Sequence, residues 1–419
     1  MSERGESTMP VSGTKGPAPG SAGDVPSRTW RQRLHAIPWN FVAVLAIVPA
    51  FVLLQEVWGG WRWNVRLHAL RRIQAAAAGQ RSGLSPVGLT ERARPWRKLV
   101  EHYVPIPQAA SRLDDPFGFI FSEVDCSALY LYEDFTDASL ADVGAFPEVR
   151  ELRVSDAKVT DAGLAPLRNL RELRSLSLQK LAIRGSGLAY LEPLRFLEKL
   201  NLEGTQLDDT GLRSLPGLPS LGELSLAGVP IAGEGLACLA RLPRLSSLVL
   251  RGSAVGDRGL QSLPHVPTLR SLDLSGVEVR GDGLVALRQL PQLKTLLLDQ
   301  TPIDDAGLMQ LPTLPALTQI SLRGAPVAGP GLAALGRLPA VQTVFLDETP
   351  LDDAGLLHLP ALPQVRTLSL RKTQISAASL PVLRARLPGL NVLELPRTPT
   401  LTREVLDELV TETGWRVFH

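Results

Sequence analysis

The chain has 419 residues, more than one compact core usually contains, and its formal net charge at pH 7 is only +2. A charge this close to zero excludes a polyelectrolyte that binds nucleic acid through its overall charge. Aromatic residues make up 5% of the chain and cysteine occurs twice, so leucine has to supply the core and a disulfide framework is excluded.

Residues 1–36 are rich in Gly, Ser, Pro and Thr and have no apolar periodicity, which predicts a disordered tail. An unbroken apolar run follows at 41–54, with Trp39 before it and Trp58 after it. With these flanks the run approaches the ~20 residues that a helix needs to span a bilayer. We predict a single-pass transmembrane signal-anchor helix at 37–58, and the alternative is a buried helix of a soluble domain.

Arginines lie on both sides of this helix, so the positive-inside rule gives little asymmetry to decide its orientation. We expect the N-terminal tail inside and the rest of the chain outside the cytoplasm, and the opposite orientation stays open. Residues 59–125 are expected to form a juxtamembrane helix and then an N-terminal cap. The cap assignment follows because 96–121 is the most aromatic part of the chain beyond the apolar helix.

From residue 149 the apolar residues recur in units of constant length, and each unit opens with the pattern L-x-x-L-x-L. The first apolar positions of successive units are Val149, Leu173, Leu197, Leu221, Leu245, Leu269, Leu293, Leu317, Val341 and Val365. A less regular unit precedes them and another follows a one-residue insertion, which makes about twelve units over 126–400. Residues 401–419 are assigned to a C-terminal cap.

Each unit contains seven apolar positions that it cannot bury alone. In the unit that begins at Leu197, the first three alternate as in a short strand, and the next four pass through a loop and a helical turn. Stacked units bury these side chains in one continuous leucine core. The sequence therefore predicts an α/β solenoid, with a curved parallel sheet on the concave side and short helices on the convex side.

The turn after each strand carries an aspartate or glycine at a fixed position. We expect Asp209 to cap the following helix by accepting its free N–H groups. The glycine two residues later recurs in nearly every unit, which indicates a close backbone approach between coils. Adjacent carboxylates such as Asp208 and Asp209 also permit a calcium or catalytic interpretation, but their recurrence at one position favours capping.

A second period, twice as long and seen for example from Asp209 to Asp257, lies on the first. Aspartate and glycine alternate at the cap position, and the aspartate units carry an early proline such as Pro216. Because proline cannot continue a helix, we predict that short and longer convex helices alternate over 197–364.

These repeats resemble the leucine-rich-repeat superfamily, and specifically the ribonuclease-inhibitor-like units with an I-x-D-x-G-L signature. They are also similar to the repeat halves of F-box proteins and to membrane-anchored bacterial leucine-rich-repeat proteins. The resemblance covers about two thirds of the chain. One departure is that the usual asparagine after the strand is replaced, for example by Thr205 and Val229, so we expect different hydrogen bonding in that loop.

The concave face is the candidate binding site, because its outward positions combine apolar, aromatic and charged side chains. Val249, Leu297 and Phe345 are predicted to be exposed apolar residues two units apart. The candidate partner-binding residues are Tyr130, Tyr132, Arg153, Val249, Arg251, Leu297, Asp299, Arg323, Phe345, Asp347 and Arg371. The alternative is that the charged members of this set only neutralise one another along the sheet.

Catalytic and metal-binding patterns are missing from the sequence: no nucleophile, base and orienting group converge, and no metal-ligand spacing appears. We therefore expect no enzymatic activity, no cofactor and no metal. Cys126 and Cys238 lie four units apart, near 19 Å at ~4.8 Å per unit, so we expect free, buried thiols. His265 and His358 are expected on the convex surface.

These observations predict a membrane-anchored scaffold that binds a protein partner through its concave face and does not bind nucleic acid. One alternative is a structural or adhesive envelope protein in which the repeats act as a spacer. Another is a substrate adaptor for an enzyme complex, by analogy with F-box leucine-rich-repeat proteins. No F-box-like segment precedes the repeats, which counts against the adaptor.

Overall fold

The computed structural model describes residues 89–93, 122–126, 128–132, 135–263 and 266–419. The chain divides into the units Met1–Gly59 and Gly60–His419, and every described residue belongs to the second. The predicted tail, the predicted helix at 37–58 and most of the predicted N-terminal cap lie outside the described residues. Within the described ranges, no helix combines the length and apolar character needed to cross a membrane.

Two sheets are present in the described residues. A small antiparallel sheet pairs β1 (Leu89–Ala93) with β2 (Ser122–Cys126). A second sheet contains thirteen parallel strands in chain order. These strands are β3 (Ala128–Tyr132), β4 (Glu151–Ser155), β5 (Ser175–Gln179), β6 (Lys199–Asn201), β7 (Glu223–Ser225), β8 (Ser247–Val249), β9 (Ser271–Asp273), β10 (Thr295–Leu297), β11 (Gln319–Ser321), β12 (Thr343–Phe345), β13 (Thr367–Ser369), β14 (Val392–Glu394) and β15 (Arg416–Phe418).

The register of the large sheet repeats the sequence period. Thr295 of β10 aligns with Gln319 of β11, which occupies the same position in the next unit. The one-residue insertion appears between β13 and β14, where Thr367 aligns with Val392. The predicted solenoid of parallel strands is thus confirmed for the described repeats. Strand β15 comes from the segment that we assigned to the C-terminal cap, because it lacks the L-x-x-L-x-L pattern.

Short helices follow the strands in each coil. The α-helices are α1 (Asp137–Val143), α2 (Asp209–Arg213), α3 (Asp257–Gln261), α4 (Asp305–Leu308), α5 (Asp353–Leu356), α6 (Leu380–Arg386) and α7 (Arg403–Thr413). The 3₁₀ helices are Asp161–Asn169, Ser186–Leu191, Glu234–Arg241, Asp282–Gln289, Pro330–Arg337 and Ala377–Ser379. Over 197–364, α-helices of four or five residues alternate with 3₁₀ helices of eight, so the predicted alternation is confirmed.

One apolar core runs through all the described coils between the sheet and the helices. In the unit that begins at Leu197 every one of the seven apolar positions is at most 1% exposed. These positions are Leu197, Leu200, Leu202, Leu207, Leu212, Leu215 and Leu218. Each fully buried aliphatic side chain contributes about 1.5–3 kcal/mol, so the stacked leucines supply most of the force that holds the coils together.

Threonine replaces the expected asparagine in several loops after the strands, and it bonds within its own coil. The Thr205 hydroxyl donates to the Leu202 carbonyl at 2.8 Å, and the Thr301 hydroxyl donates to the Leu298 carbonyl at 2.7 Å. In other units the position is apolar and buried, as at Val229. There the backbone N–H alone reaches the carbonyl three residues earlier. The loop bonding therefore differs from an asparagine ladder, as the sequence indicated.

The predicted capping role of Asp209 is wrong. The residue that caps α2 is Asp208, whose carboxylate accepts the N–H of Gly211 at 2.7 Å. Asp209 instead accepts the N–H groups of Ala232, Gly233 and Gly235 in the next coil. Asp161, Asp257 and Asp305 bind the following coil in the same way. We call these three residues and Asp209 the inter-coil aspartates.

Glycines provide the complementary contact between each glycine coil and the next aspartate coil. Gly233 has a left-handed backbone with φ of +117°, and a Cβ placed on it would lie 2.2 Å from the Cα of Gly259. A Cβ on Gly259 would lie 2.1 Å from the carbonyl oxygen of Ala232. The predicted close backbone approach is therefore confirmed. The doubled sequence period therefore corresponds to two kinds of contact between successive coils. An aspartate carboxylate joins each aspartate coil to the next glycine coil, and direct backbone contact joins each glycine coil to the next aspartate coil.

Candidate protein-binding face

The side of the large sheet that faces away from the core forms one continuous row of side chains. We call it the outer sheet face. The pairing aligns Leu297, Ser321, Phe345, Ser369 and Glu394 on neighbouring strands. Their neighbours within each strand, such as Leu296 and Val344, are buried in the core. The alternation that the sequence predicted therefore sorts the candidate residues onto the surface opposite the leucines.

Four candidate residues near the C-terminal end of this face form a linked chain. The backbone N–H of Arg323 donates to Oδ1 of Asp299 at 3.0 Å. Nε of Arg323 donates to Oδ2 of Asp347 at 2.8 Å, and Oδ1 of Asp347 accepts the backbone N–H of Arg371 at 2.8 Å. The structure thus brings Asp299, Arg323, Asp347 and Arg371 together, with the two aspartates holding the two arginines in place.

Buried serines complete this chain, and the sequence analysis did not single them out. The hydroxyl of Ser321 donates to Asp299, and the hydroxyl of Ser369 donates to Asp347. Ser369 also lies 2.7 Å from Oε2 of Glu394, which pairs with Nε of Arg371 at 3.1 Å. The available signal was a small polar residue at the same strand position in alternate units, as at Ser321 and Ser369.

Phe345 lies at the centre of the linked residues. The guanidinium carbon of Arg323 sits 4.1 Å from the centroid of the Phe345 ring, which is a cation–π arrangement. The Arg323 side chain remains 45% exposed, whereas the Asp347 side chain that anchors it is 11% exposed. Arg323 is therefore oriented by a ring and a buried carboxylate, while part of its guanidinium group faces solvent.

The expectation that Val249, Leu297 and Phe345 are exposed is only partly right, because all three are half-buried. Each lies on a strand whose neighbours cover its flanks, and Arg323 covers one face of the Phe345 ring. Val249 and Arg153 border a shallow trough of about 310 Å³ over β4 to β8. Small serines line much of this trough, so the two candidates lie apart from the linked chain around Phe345.

The remaining candidates are distributed along the face. Arg251 is exposed, and its guanidinium group has no carboxylate partner among the described side chains. In the backbone register Tyr130 aligns with Arg153, and Tyr132 aligns with Ser155. The side chains of both tyrosines lie outside the described residues. The face therefore has a hydrogen-bonded C-terminal part around Phe345 and an open trough nearer the N-terminal end.

The remaining residues from the sequence analysis are two cysteines and two histidines. Cys238 is a free, buried thiol, as expected, and burial raises its pKa to about 11. Cys126 and His265 lie outside the residues whose side chains are described, and His358 is exposed beside α5. Among the described residues, no group of three or more His, Cys, Asp or Glu side chains is arranged to hold a metal ion.

The leucine-rich-repeat family model matches the chain at residues 194–215 and 265–287. No match was found among curated proteins. Many solved structures are similar, and three of them illustrate the low sequence identity. An internalin from Listeria monocytogenes is 17% identical with a TM-score of 0.44, covering 67% of this chain and 91% of that chain. The Rad7–Elc1 complex from yeast is 16% identical with a TM-score of 0.46, covering 91% and 98%. A leucine-rich-repeat protein from Leptospira interrogans is 17% identical with a TM-score of 0.47, covering 67% and 74%.

The family match falls within the repeats that build the large sheet. The segment 194–215 includes β6 and all of α2, and 265–287 includes β9 and most of the next 3₁₀ helix. The same strand, loop and helix recur in register on both sides of these segments. The described repeats are therefore similar to leucine-rich repeats, and two segments among them match the family model.

Proposed function

We propose that the outer sheet face binds a protein partner and that the surface around Phe345 carries most of the binding energy. The observation that supports this proposal is the arrangement of Arg323 over the Phe345 ring, held by the buried carboxylate of Asp347. Leu297 lies two strands away, at about 10 Å, and adds a second apolar contact on the same row.

Fixed side chains favour binding because their rotational entropy is already lost in the free protein. Arg323 and Arg371 are both tied through Nε, so their remaining guanidinium N–H groups are available to a partner. Aromatic and arginine side chains in one partly buried patch are the composition that binding hot spots share. No comparable aromatic and arginine contact occurs elsewhere on the described part of the outer sheet face.

The proposal is tested by purifying partners on the immobilised full-length chain from extracts of the source organism. Phe345→Ala should reduce recovery of the partner about tenfold, which corresponds to about 1.4 kcal/mol. Phe196→Ala is the matched control, because Phe196 is 54% exposed and lies outside the sheet strands. Circular dichroism checks that both variants are folded. Equal recovery of the partner by the two folded variants would contradict the proposal.

We further propose that residues 37–58 tether this binding domain to a membrane. The support is the apolar run at 41–54 with tryptophans at both ends, where the headgroups would lie. Carbonate extraction of cell membranes should leave the full-length chain in the pellet, and a chain that begins at residue 60 should move to the supernatant. Protease added to intact cells then tests our orientation, which places the repeats outside the cytoplasm. Extraction of the full-length chain by carbonate would argue against the tether.

A further inference from the structure

A cleft of about 690 Å³ lies at the carboxyl ends of β13, β14 and β15. Its apolar wall is formed by Leu395 and Pro396, which are buried, and by Phe418, which is 51% exposed. Its polar wall is formed by Arg371, Lys372 and Arg397. None of the side chains that line the cleft is acidic. The cleft therefore combines an apolar surface with three cations.

Two of these cations are oriented by carboxylates that lie outside the cleft. Nζ of Lys372 lies 2.6 Å from Oε1 of Glu348, and this hydrogen bond raises the pKa of Lys372. Arg371 is held by Glu394. Arg397 is exposed and has no carboxylate partner within the described part of the chain. Arg397 therefore adds a positive charge beside the two cations that carboxylates hold.

The backbone at Lys372 indicates that the fold does not require a lysine there. Lys372 has a φ of +57°, in the left-handed region that disfavours residues with a Cβ. Gly204, Gly252, Gly276 and Gly324 occupy the equivalent turn in other coils with φ between +63° and +67°. Asp156, Lys180, Gln300 and Glu348 occupy the same turn with φ between +52° and +61°, so the turn accepts a side chain, and a glycine at 372 would relieve the left-handed backbone.

We propose that this cleft binds an acidic segment of a protein partner, with an apolar side chain of that segment packed against Phe418. Arginine guanidinium groups match carboxylates in a planar, two-point geometry, and Lys372 adds a third positive charge. The cleft continues the proposed binding face, because Phe418 aligns with Glu394 and then with Ser369 and Phe345 on neighbouring strands. The inference rests on the proposed function and specifies the chemistry of the partner.

The test uses a fluorescein-labelled peptide of alternating glutamate and leucine residues, titrated with the full-length chain in low salt. A lysine–leucine peptide and a single-stranded oligonucleotide serve as comparison probes. Arg397→Glu should weaken binding of the acidic peptide at least about tenfold, since the charge change turns attraction into repulsion. Arg195→Glu is the matched control, because Arg195 is exposed and lies away from the cleft.

Lys372→Gly separates binding from folding. The variant should lower the affinity for the acidic peptide several-fold. It should leave the midpoint of thermal unfolding unchanged or raised, because glycine relieves the strain of the left-handed backbone. Equal loss of affinity in Arg195→Glu and Arg397→Glu would overturn the proposal, as would binding of the oligonucleotide in preference to the acidic peptide. If Phe345→Ala still reduces partner recovery in either case, the cleft assignment fails and the proposed function stands.

Discussion

The carboxylate of Asp209 accepts the backbone N–H of Gly235, which lies in the next coil, at 2.6 Å. The same carboxylate accepts the N–H groups of Ala232 and Gly233, so one side chain satisfies three backbone donors. Asp209→Ala should lower the free energy of unfolding by about 1.5–3 kcal/mol, because these donors lose a charged acceptor. Denaturant unfolding followed by circular dichroism measures this loss.

Asp282→Ala is the control for this prediction. Asp282 is exposed in the first turn of its 3₁₀ helix, and no hydrogen bond of its side chain is present in the described structure. Its replacement should change the free energy of unfolding by less than about 0.5 kcal/mol. Similar losses in both variants would mean that the inter-coil aspartates do not hold the coils together.

Gly233 and Gly252 form a second matched pair, because both have positive φ but only a Cβ on Gly233 would collide with another coil. A Cβ on Gly233 would lie 2.2 Å from Gly259, whereas a Cβ on Gly252 would meet nothing within 4 Å. We expect Gly252→Ala to cost about 1–2 kcal/mol for its left-handed backbone. Gly233→Ala should cost at least about 3 kcal/mol, since overpacking adds to the backbone strain. Equal unfolding midpoints would contradict the close approach.

The stability of the C-terminal coils should depend on pH through Asp353. Burial would raise the pKa of Asp353, but hydrogen bonds from Ser376 and Ser379 outweigh that effect and hold the pKa below its ordinary value of 3.8. A carboxyl whose folded pKa is lowered stabilises the protein above its unfolded pKa. That contribution is lost as the pH falls through the folded value. The window of loss therefore lies below pH 3.8.

Asp353→Asn measures this contribution directly. The variant should be less stable than the parent near pH 7, and the difference should shrink as the pH falls below about 3.8 and Asp353 becomes neutral. Urea titrations at several pH values give the two stability curves. A difference that stays constant across this range would show that the ionised state of Asp353 does not contribute.

Cys238 should react slowly in the folded protein. Burial raises the pKa of its thiol from 9.0 to about 11, which lowers the reactive thiolate fraction about 100-fold near neutral pH. Labelling with a thiol reagent should therefore be fast in denaturant and at least about 100-fold slower without it. Rapid labelling of Cys238 under native conditions, identified by peptide mass spectrometry, would place the thiol at the surface.

The repeat architecture was predictable because one physical requirement recurs at every coil. The seven leucines from Leu197 to Leu218 are all buried, and the same positions are apolar in the neighbouring units. The role of Asp209 was not predictable, because adjacent aspartates offer two acceptors and only geometry decides which one binds the next coil. Asp208 takes the local N–H, which leaves Asp209 free to reach across.

The candidate site was predicted as a row of residues but not as a network. Period-two alternation placed Arg323, Phe345 and Asp347 on the outer sheet face, and the register confirms that placement for Phe345. Arg323 covers the Phe345 ring, and buried Ser321 and Ser369 donate hydrogen bonds to Asp299 and Asp347. These contacts depend on side-chain rotamers, which the periodicity of the sequence does not encode. Strand β15 was missed for a related reason, since three residues carry no detectable repeat pattern.

Site-specific photo-crosslinking detects directly whether the outer sheet face around Phe345 contacts a protein partner. A benzoylphenylalanine in place of Phe345 should give a crosslinked product in cells of the source organism, because position 345 lies at the centre of the proposed binding surface, beside Arg323. The same group in place of Phe196, which lies outside the sheet strands, should give little of that product. Crosslinking at position 196 but not at position 345 would show that the partner does not bind through this face.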